Sequence, residues 1–168
     1  MHTVVIKDKV LKAAASKGMS DFVNAVTDAI NKSIGGNLTA ETMSCLNSDQ
    51  VTLMAYSIMR EELMVGGFVQ LIFNGYGPFI FKNPFARALK AWGLVPLGRI
   101  IQKAHKYYGK YHELIERDMS DDEFMALYEQ CPEFDDYDDE FVENEDMFTS
   151  MIACYVDEHI TNFVTIEE

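Results

Sequence analysis

The sequence predicts an all-α protein: a single compact domain of about seven or eight helices over residues 1–168, with a short N-terminal strand. Three observations predict it. Apolar residues recur at spacings of three and four along most of the chain, the period of a helix buried on one face. Only Thr3 to Ile6 reads as a strand. A chain of 168 residues that is 48% hydrophobic can bury a core without disulfide or metal staples. Residues 1–44 read as an N-terminal helical segment packed on a core formed by 45–168.

The elements follow in order. Ser20 is placed to cap a helix whose face carries Phe22, Val23, Val26, Ile30 and Ile34, with Gly35-Gly36 as its stop. Ser48 opens the next, with Asp49 at its positive end and Val51, Ala55, Ile58 and Met59 on one stripe, until Gly66-Gly67 breaks it. The following turns, Phe68 to Phe73, are apolar on nearly all sides, as a centrally buried helix is. Gln70 and Asn74 form their only polar stripe, with amides expected to bond to backbone around Gly66-Gly67 and Gly75-Tyr-Gly77. Gly75-Tyr-Gly77-Pro78 reads as a turn. Asn83 is placed to cap a helix with Pro84 in its first turn and Trp92-Gly93 as its close.

Pro96 to about Arg117 is the longest clear helix, with Leu97, Ile100, Ile101, Ala104, Tyr108, Tyr111 and Ile115 on one face and Arg99, Lys103, Lys106 and Lys110 opposite. Ser120-Asp-Asp-Glu123 is a capping box, after which Phe124, Leu127, Tyr128 and Cys131 face inward. The last helix is expected from Asp138 or Asp139 to about Phe163, burying Phe141, Phe148, Met151, Ile152, Tyr155, His159 and Phe163.

Charge is unevenly distributed. The net charge is −13, which argues against direct binding to nucleic acid or an anionic membrane and favours a basic partner. Residues 1–112 carry 13 basic and 7 acidic side chains, a net +6, whereas 113–168 carry 1 basic and 20 acidic, a net −19. The densest run is 133–146, where Glu133, Asp135, Asp136, Asp138, Asp139, Glu140, Glu143, Glu145 and Asp146 place nine carboxylates in fourteen residues. Phe134, Tyr137 and Phe141 give this run an apolar stripe, so it can dock on the core with its acids outward. If wholly helical, it would hold one charge per about 2.3 Å of axis, against about 1.7 Å for duplex DNA. The plainer reading is a solvated acidic face, partly neutralised by the basic helix around Lys103 to Lys110.

Several chemistries are excluded or disfavoured. Leu63 to Phe81 carries no charge, but its glycines, Gln70 and Asn74 would leave polar groups unpaired in lipid, so no membrane span is expected. The N-terminal apolar run is too short for a signal peptide, and three cysteines without Cys-x-x-Cys offer neither a disulfide framework nor a zinc site, so a reduced cytoplasm is expected. Cys45, Cys131 and Cys154 read as small buried hydrophobes. An EF-hand loop begun at Asp136 has Phe141 where glycine is needed and Met147 where glutamate is needed. The four histidines show no metal-ligand spacing, His159 reads as a hydrogen-bonded core residue, and no nucleophile elbow or phosphate-binding loop is present. No cofactor, metal or catalytic residue is expected.

The run Glu61-Glu-Leu-Met-Val-Gly-Gly-Phe-Val-Gln-Leu-Ile-Phe-Asn-Gly-Tyr-Gly77 resembles the Glu…Gly-Gly-Phe-x-Gln-x-x-x-Asn-x-x-Gly signature of the bacterial DNA-mimic protein family. Its members in this chain are Glu62, Gly66, Gly67, Phe68, Gln70, Asn74 and Gly77, which read as core and turn chemistry. Phe85 to Tyr108, Phe134 to Phe141 and Tyr155-x-x-x-His159-x-x-x-Phe163 are similar to later segments of the family, and the resemblance covers residues 45 to 163. It implies an all-helical protein, a homodimer in the best-known member, whose carboxylates imitate DNA phosphates and occupy the DNA-binding face of a transcription regulator. The leading expectation is therefore a non-enzymatic binding protein that uses its C-terminal acids against a basic protein. The alternatives are an immunity- or antitoxin-like inhibitor of a basic toxin, a small-ligand or enzymatic domain centred on Gln70 and Asn74, and a helical domain without mimicry.

Overall fold

The computed structural model describes residues 2–168 and is all-α in class, with nine α-helices and one pair of three-residue strands among those residues. In chain order these are β1 (Val5–Lys7), α1 (Asp8–Lys17), α2 (Met19–Ser33), α3 (Ala40–Met43), α4 (Ser48–Phe73), α5 (Gly77–Phe81), α6 (Phe85–Ala91), α7 (Val95–Ile115), α8 (Asp121–Gln130), α9 (Asp135–Glu158) and β2 (Thr165–Glu167). Single 3₁₀ turns, Pro132–Phe134 and Ile160–Asn162, precede and follow α9. None of the described helices is long and apolar enough to cross a membrane. The chain groups into two units, one of residues up to Ser57 with Asp146–Glu168, the other of Ile58–Glu145.

In the first unit, β1 and β2 pair in parallel, Val5 against Thr165 and Ile6 against Ile166. The strand lies one to two residues later than the sequence predicts, and its partner was not foreseen. All three β2 residues are exposed, so no alternation of burial marks them in the sequence. Helix α1 was likewise not singled out. Of its ten residues only Leu11 is buried, so its apolar stripe is one residue deep. α2 buries Phe22, Val23, Val26 and Ile30 as expected and ends before Gly35-Gly36. Ser20 is not its cap: the Phe22 N–H bonds to the Gly18 carbonyl, so Gly18 divides α1 from α2 and the helix has already begun at Met19.

The first ten residues of α4 are tied to the end of the chain by buried polar contacts. The Tyr56 hydroxyl lies 2.7 Å from Thr149 Oγ1, and Gln50 Nε2 donates to the Phe163 carbonyl at 2.8 Å. A hollow of about 230 Å³ is lined by Ala15, Met19, Phe22, Ala153 and Cys154. Cys131 is buried, but Cys45 is half-buried and Cys154 is exposed, so the expectation of three buried thiols holds for one. The Ala153 side of α9 is the inner one at that turn, and Cys154 is the next residue round the helix.

In the second unit the break expected at Gly66-Gly67 is present as a kink within α4. Gly67 takes φ 70° and ψ −166°, a conformation that side chains with a Cβ rarely adopt. Beyond it Phe68 is fully buried, with ring centroids 6.0 Å from Phe81 and 5.9 Å from Phe134. The expected turn is present at Asn74-Gly75, where Gly75 takes φ 90°, but its second half, Gly77-Pro78, opens the short α5 with Pro78 in its first turn. Asn83 does not cap α6. Its amide donates to the Phe79 carbonyl at 2.9 Å and closes α5 instead. α7 matches its expected extent within two residues and buries Leu97, Ile100, Ile101, Ala104, Tyr108 and Ile115. Ser120 caps α8, accepting from the Glu123 N–H. The Glu123 carboxylate reaches back to the Ser120 N–H as expected, which holds it below the ordinary range, and it also accepts from the Ser120 hydroxyl and from Arg117.

Candidate functional site

The acidic helix begins three to four residues earlier than expected, at Asp135. The 3₁₀ turn from Pro132 leads straight into it, and Asp135, Asp136 and Asp138 in its first turn favour the positive helix end. Its inner face is fixed by aromatics. Phe134 and Phe141 are fully buried, and Tyr137 stacks on Tyr107 of α7 at 6.0 Å between centroids with an interplanar angle of 28°. The docking stripe read from the sequence therefore holds the helix down.

The nine carboxylates separate into two groups. Three are engaged inside the second unit. Glu133 lies 3.0 Å from Lys110 Nζ and accepts from the Tyr111 hydroxyl at 2.6 Å; the Tyr111 bond, a backbone N–H and Lys110 together hold its carboxyl below the ordinary range. Glu145 is 8% exposed and its Oε1 lies 2.6 Å from Arg60 Nε, so it belongs to the interior and not to an outward acidic surface. Asp138 accepts the Phe68 N–H at 2.8 Å across the α4 kink. Burial pushes its carboxyl up to about 7, the Phe68 bond opposes that, and Asp135 and Asp139 reinforce it.

Asp135, Asp136, Asp139, Glu140 and Glu143 are exposed and make no ion pair among the described residues; Asp146, exposed too, begins the part of α9 grouped with the first unit. At about 100° per residue the five span about 140° of arc, opposite Phe134, Phe141 and Glu145. They place one charge per about 2.7 Å of axis, between the roughly 1.7 Å of duplex DNA and the 3.4 Å of one strand. Neutralisation by the basic helix is confined to Glu133 and Lys110. Arg99, Lys103 and Lys106 make no ion pair among the described residues.

The Gly-Gly-Phe segment is built differently from the expectation. Gln70 Nε2 and Asn74 Nδ2 donate not to backbone but to one carboxylate oxygen, Glu62 Oε2, at 2.9 and 2.8 Å. The kink at Gly67 makes this possible, because it brings the turn that carries Glu62 over the turn that carries Gln70. Tyr128 OH donates to the Gly66 carbonyl at 2.9 Å, and the Asp138 carboxylate occupies the space that a Cβ on Gly67 would need. A Cβ on Gly77 would lie 2.5 Å from the Tyr108 ring. These residues organise a kink and a turn. His112 and Glu116 approach to 3.4 Å, but no group of three metal-ligating side chains stands together among the described residues. His159 is half-buried, stacked 4.1 Å from Tyr155 and hydrogen-bonded to its carbonyl.

Sequence reasoning missed Arg60 and Tyr128, which anchor Glu145 and the kink. Their partners are about 60 to 85 residues away, and nothing local marks the pairing.

A family model described as DMP19-like protein matches residues 44–159, a range that holds the kinked α4, the basic α7 and the acidic α9. A protein of Neisseria meningitidis serogroup B (strain ATCC BAA-335 / MC58) named DNA mimic protein DMP19 is 33% identical over 128 residues, covering 75% of this chain and 77% of that protein. The family model and the relative each match well over half of this chain, and the chain belongs to the DMP19-like family.

Proposed function

We propose that the chain is a DNA mimic that acts by binding and not by catalysis. The exposed carboxylates at the start of α9 occupy the DNA-binding face of a basic protein, a helix-turn-helix transcription regulator being the class that fits best. The observation that carries this reading is the state of Asp135, Asp136, Asp139, Glu140 and Glu143: exposed, unpaired and held on a helix pinned by Phe134, Tyr137 and Phe141. Holding matters because a chain extended at about 3.3 Å per residue would halve the charge density. Membership of a family with a relative named as a DNA mimic supports it. Three free thiols suit a reducing compartment, where such regulators work.

The test is displacement of labelled operator duplexes from a panel of purified bacterial helix-turn-helix regulators. The full chain releases DNA from at least one regulator, and the variant D135N/D136N/D139N/E140Q/E143Q does not. Asp138 and Glu145 stay untouched because they hold the fold. Absence of release across the panel, or release undiminished in the variant, overturns the reading.

A further inference from the structure

Arg99, Lys103, Lys106 and Lys110 follow one another on α7 at spacings of four, three and four, one continuous stripe about 16 Å long. All four are exposed, and the sequence from Leu63 to His112 contains no acid that could neutralise them locally. The stripe meets the acidic helix within the same unit: Lys110 pairs with Glu133 at 3.0 Å, and Tyr107 stacks on Tyr137. The surface therefore reverses sign across a single aromatic pair.

We propose that this stripe docks an acidic polypeptide segment that borders the basic face of the partner, so that the partner is a protein of alternating charge. The inference rests on the reading of α9 given above and adds to it the partner's second half. A uniform polyanion fits poorly, because beyond Lys110 it would run onto Glu133 and the α9 carboxylates. A uniformly basic protein would be attracted by α9 and repelled by α7. Only a partner whose charge changes sign over the same distance satisfies both stripes, and the repulsion of wrong partners supplies selectivity.

Fluorescence anisotropy of the full chain with three labelled probes tests this: a lysine-rich helical peptide long enough to cover both stripes, a peptide of equal length with one half glutamate-rich, and a short DNA duplex. The natural chain binds the half-acidic peptide about fivefold more tightly than the uniformly basic one, the scale of a few exposed ion pairs. In R99E/K103E/K106E the order reverses, and in R99Q/K103Q/K106Q the two peptides bind equally, with circular dichroism unchanged in both. Equal or tighter binding of the basic peptide by the natural chain overturns this inference and leaves the acidic-face reading standing. DNA binding that is lost in the charge-reversal variant assigns the stripe to nucleic acid and also overturns it. Failure of both peptides to bind overturns the two readings together.

Discussion

At the scale of single residues the decisive group is Asp138, which looks like its acidic neighbours in sequence but serves the fold. Its carboxyl is pushed up to about 7 by burial while it accepts the Phe68 N–H. Because the folded value lies above the unfolded one, the native state holds a proton that the unfolded state has released. The resulting stability is fully present below about pH 4, the unfolded carboxylate value, and is lost as pH rises through about 7. Denaturant titrations of the natural chain should show this fall. Asp138→Asn keeps the acceptor for Phe68 and has no charge to desolvate, so its stability should vary less over that window and exceed the natural chain's above pH 7 by on the order of 1–3 kcal/mol. Gly67→Ala forces a Cβ onto a left-handed residue and into the Asp138 carboxylate, and should cost about 1–3 kcal/mol. The two substitutions share a contact, so G67A combined with D138A should cost less than their sum. None of this could be read locally: Asp138 is one of nine acids in the run, and its partner on α4 lies seventy residues away.

At the scale of elements, stripes were legible and boundaries were not. Leu97 through Ile115 on α7 and Phe134, Tyr137 and Phe141 beneath α9 follow from periodicity, because burial is a property of a whole face. Helix starts at Met19, Phe85 and Asp135 were misplaced because capping depends on which neighbour satisfies the first N–H groups. Gly18 and the Pro132 turn did so in place of Ser20 and of the later aspartates. The division of the acids into held and exposed sets follows from the packing of α9 and predicts opposite responses to substitution. Glu145→Ala removes a nearly buried partner of Arg60 and should destabilise by on the order of 2 kcal/mol in thermal or denaturant unfolding. The five-amide variant of the exposed set should change stability by less than about 1 kcal/mol. It relieves like-charge contacts at spacings of three and four while giving up the favourable first-turn charges of Asp135 and Asp136.

At the scale of the whole molecule the net charge of −13 and its segregation into a +6 stretch and a −19 stretch make salt a diagnostic variable. Self-repulsion of a chain this acidic opposes folding, and added salt screens it. The ion pairs that salt also weakens are mostly solvent-exposed, such as Lys12–Asp8 and Arg117–Glu123, and are worth at most about 1 kcal/mol each. Repulsion therefore dominates, and the thermal midpoint should rise between low and moderate salt. Binding of a basic partner should move the other way, because its attraction to the exposed carboxylates is screened beyond about 8 Å at physiological ionic strength. Measured together on one preparation, a rising midpoint and a falling affinity show that salt stabilises the fold while it weakens the interface, so the loss of binding does not come from unfolding. A midpoint that falls along with affinity would place the loss of binding in unfolding and remove the electrostatic argument for α9.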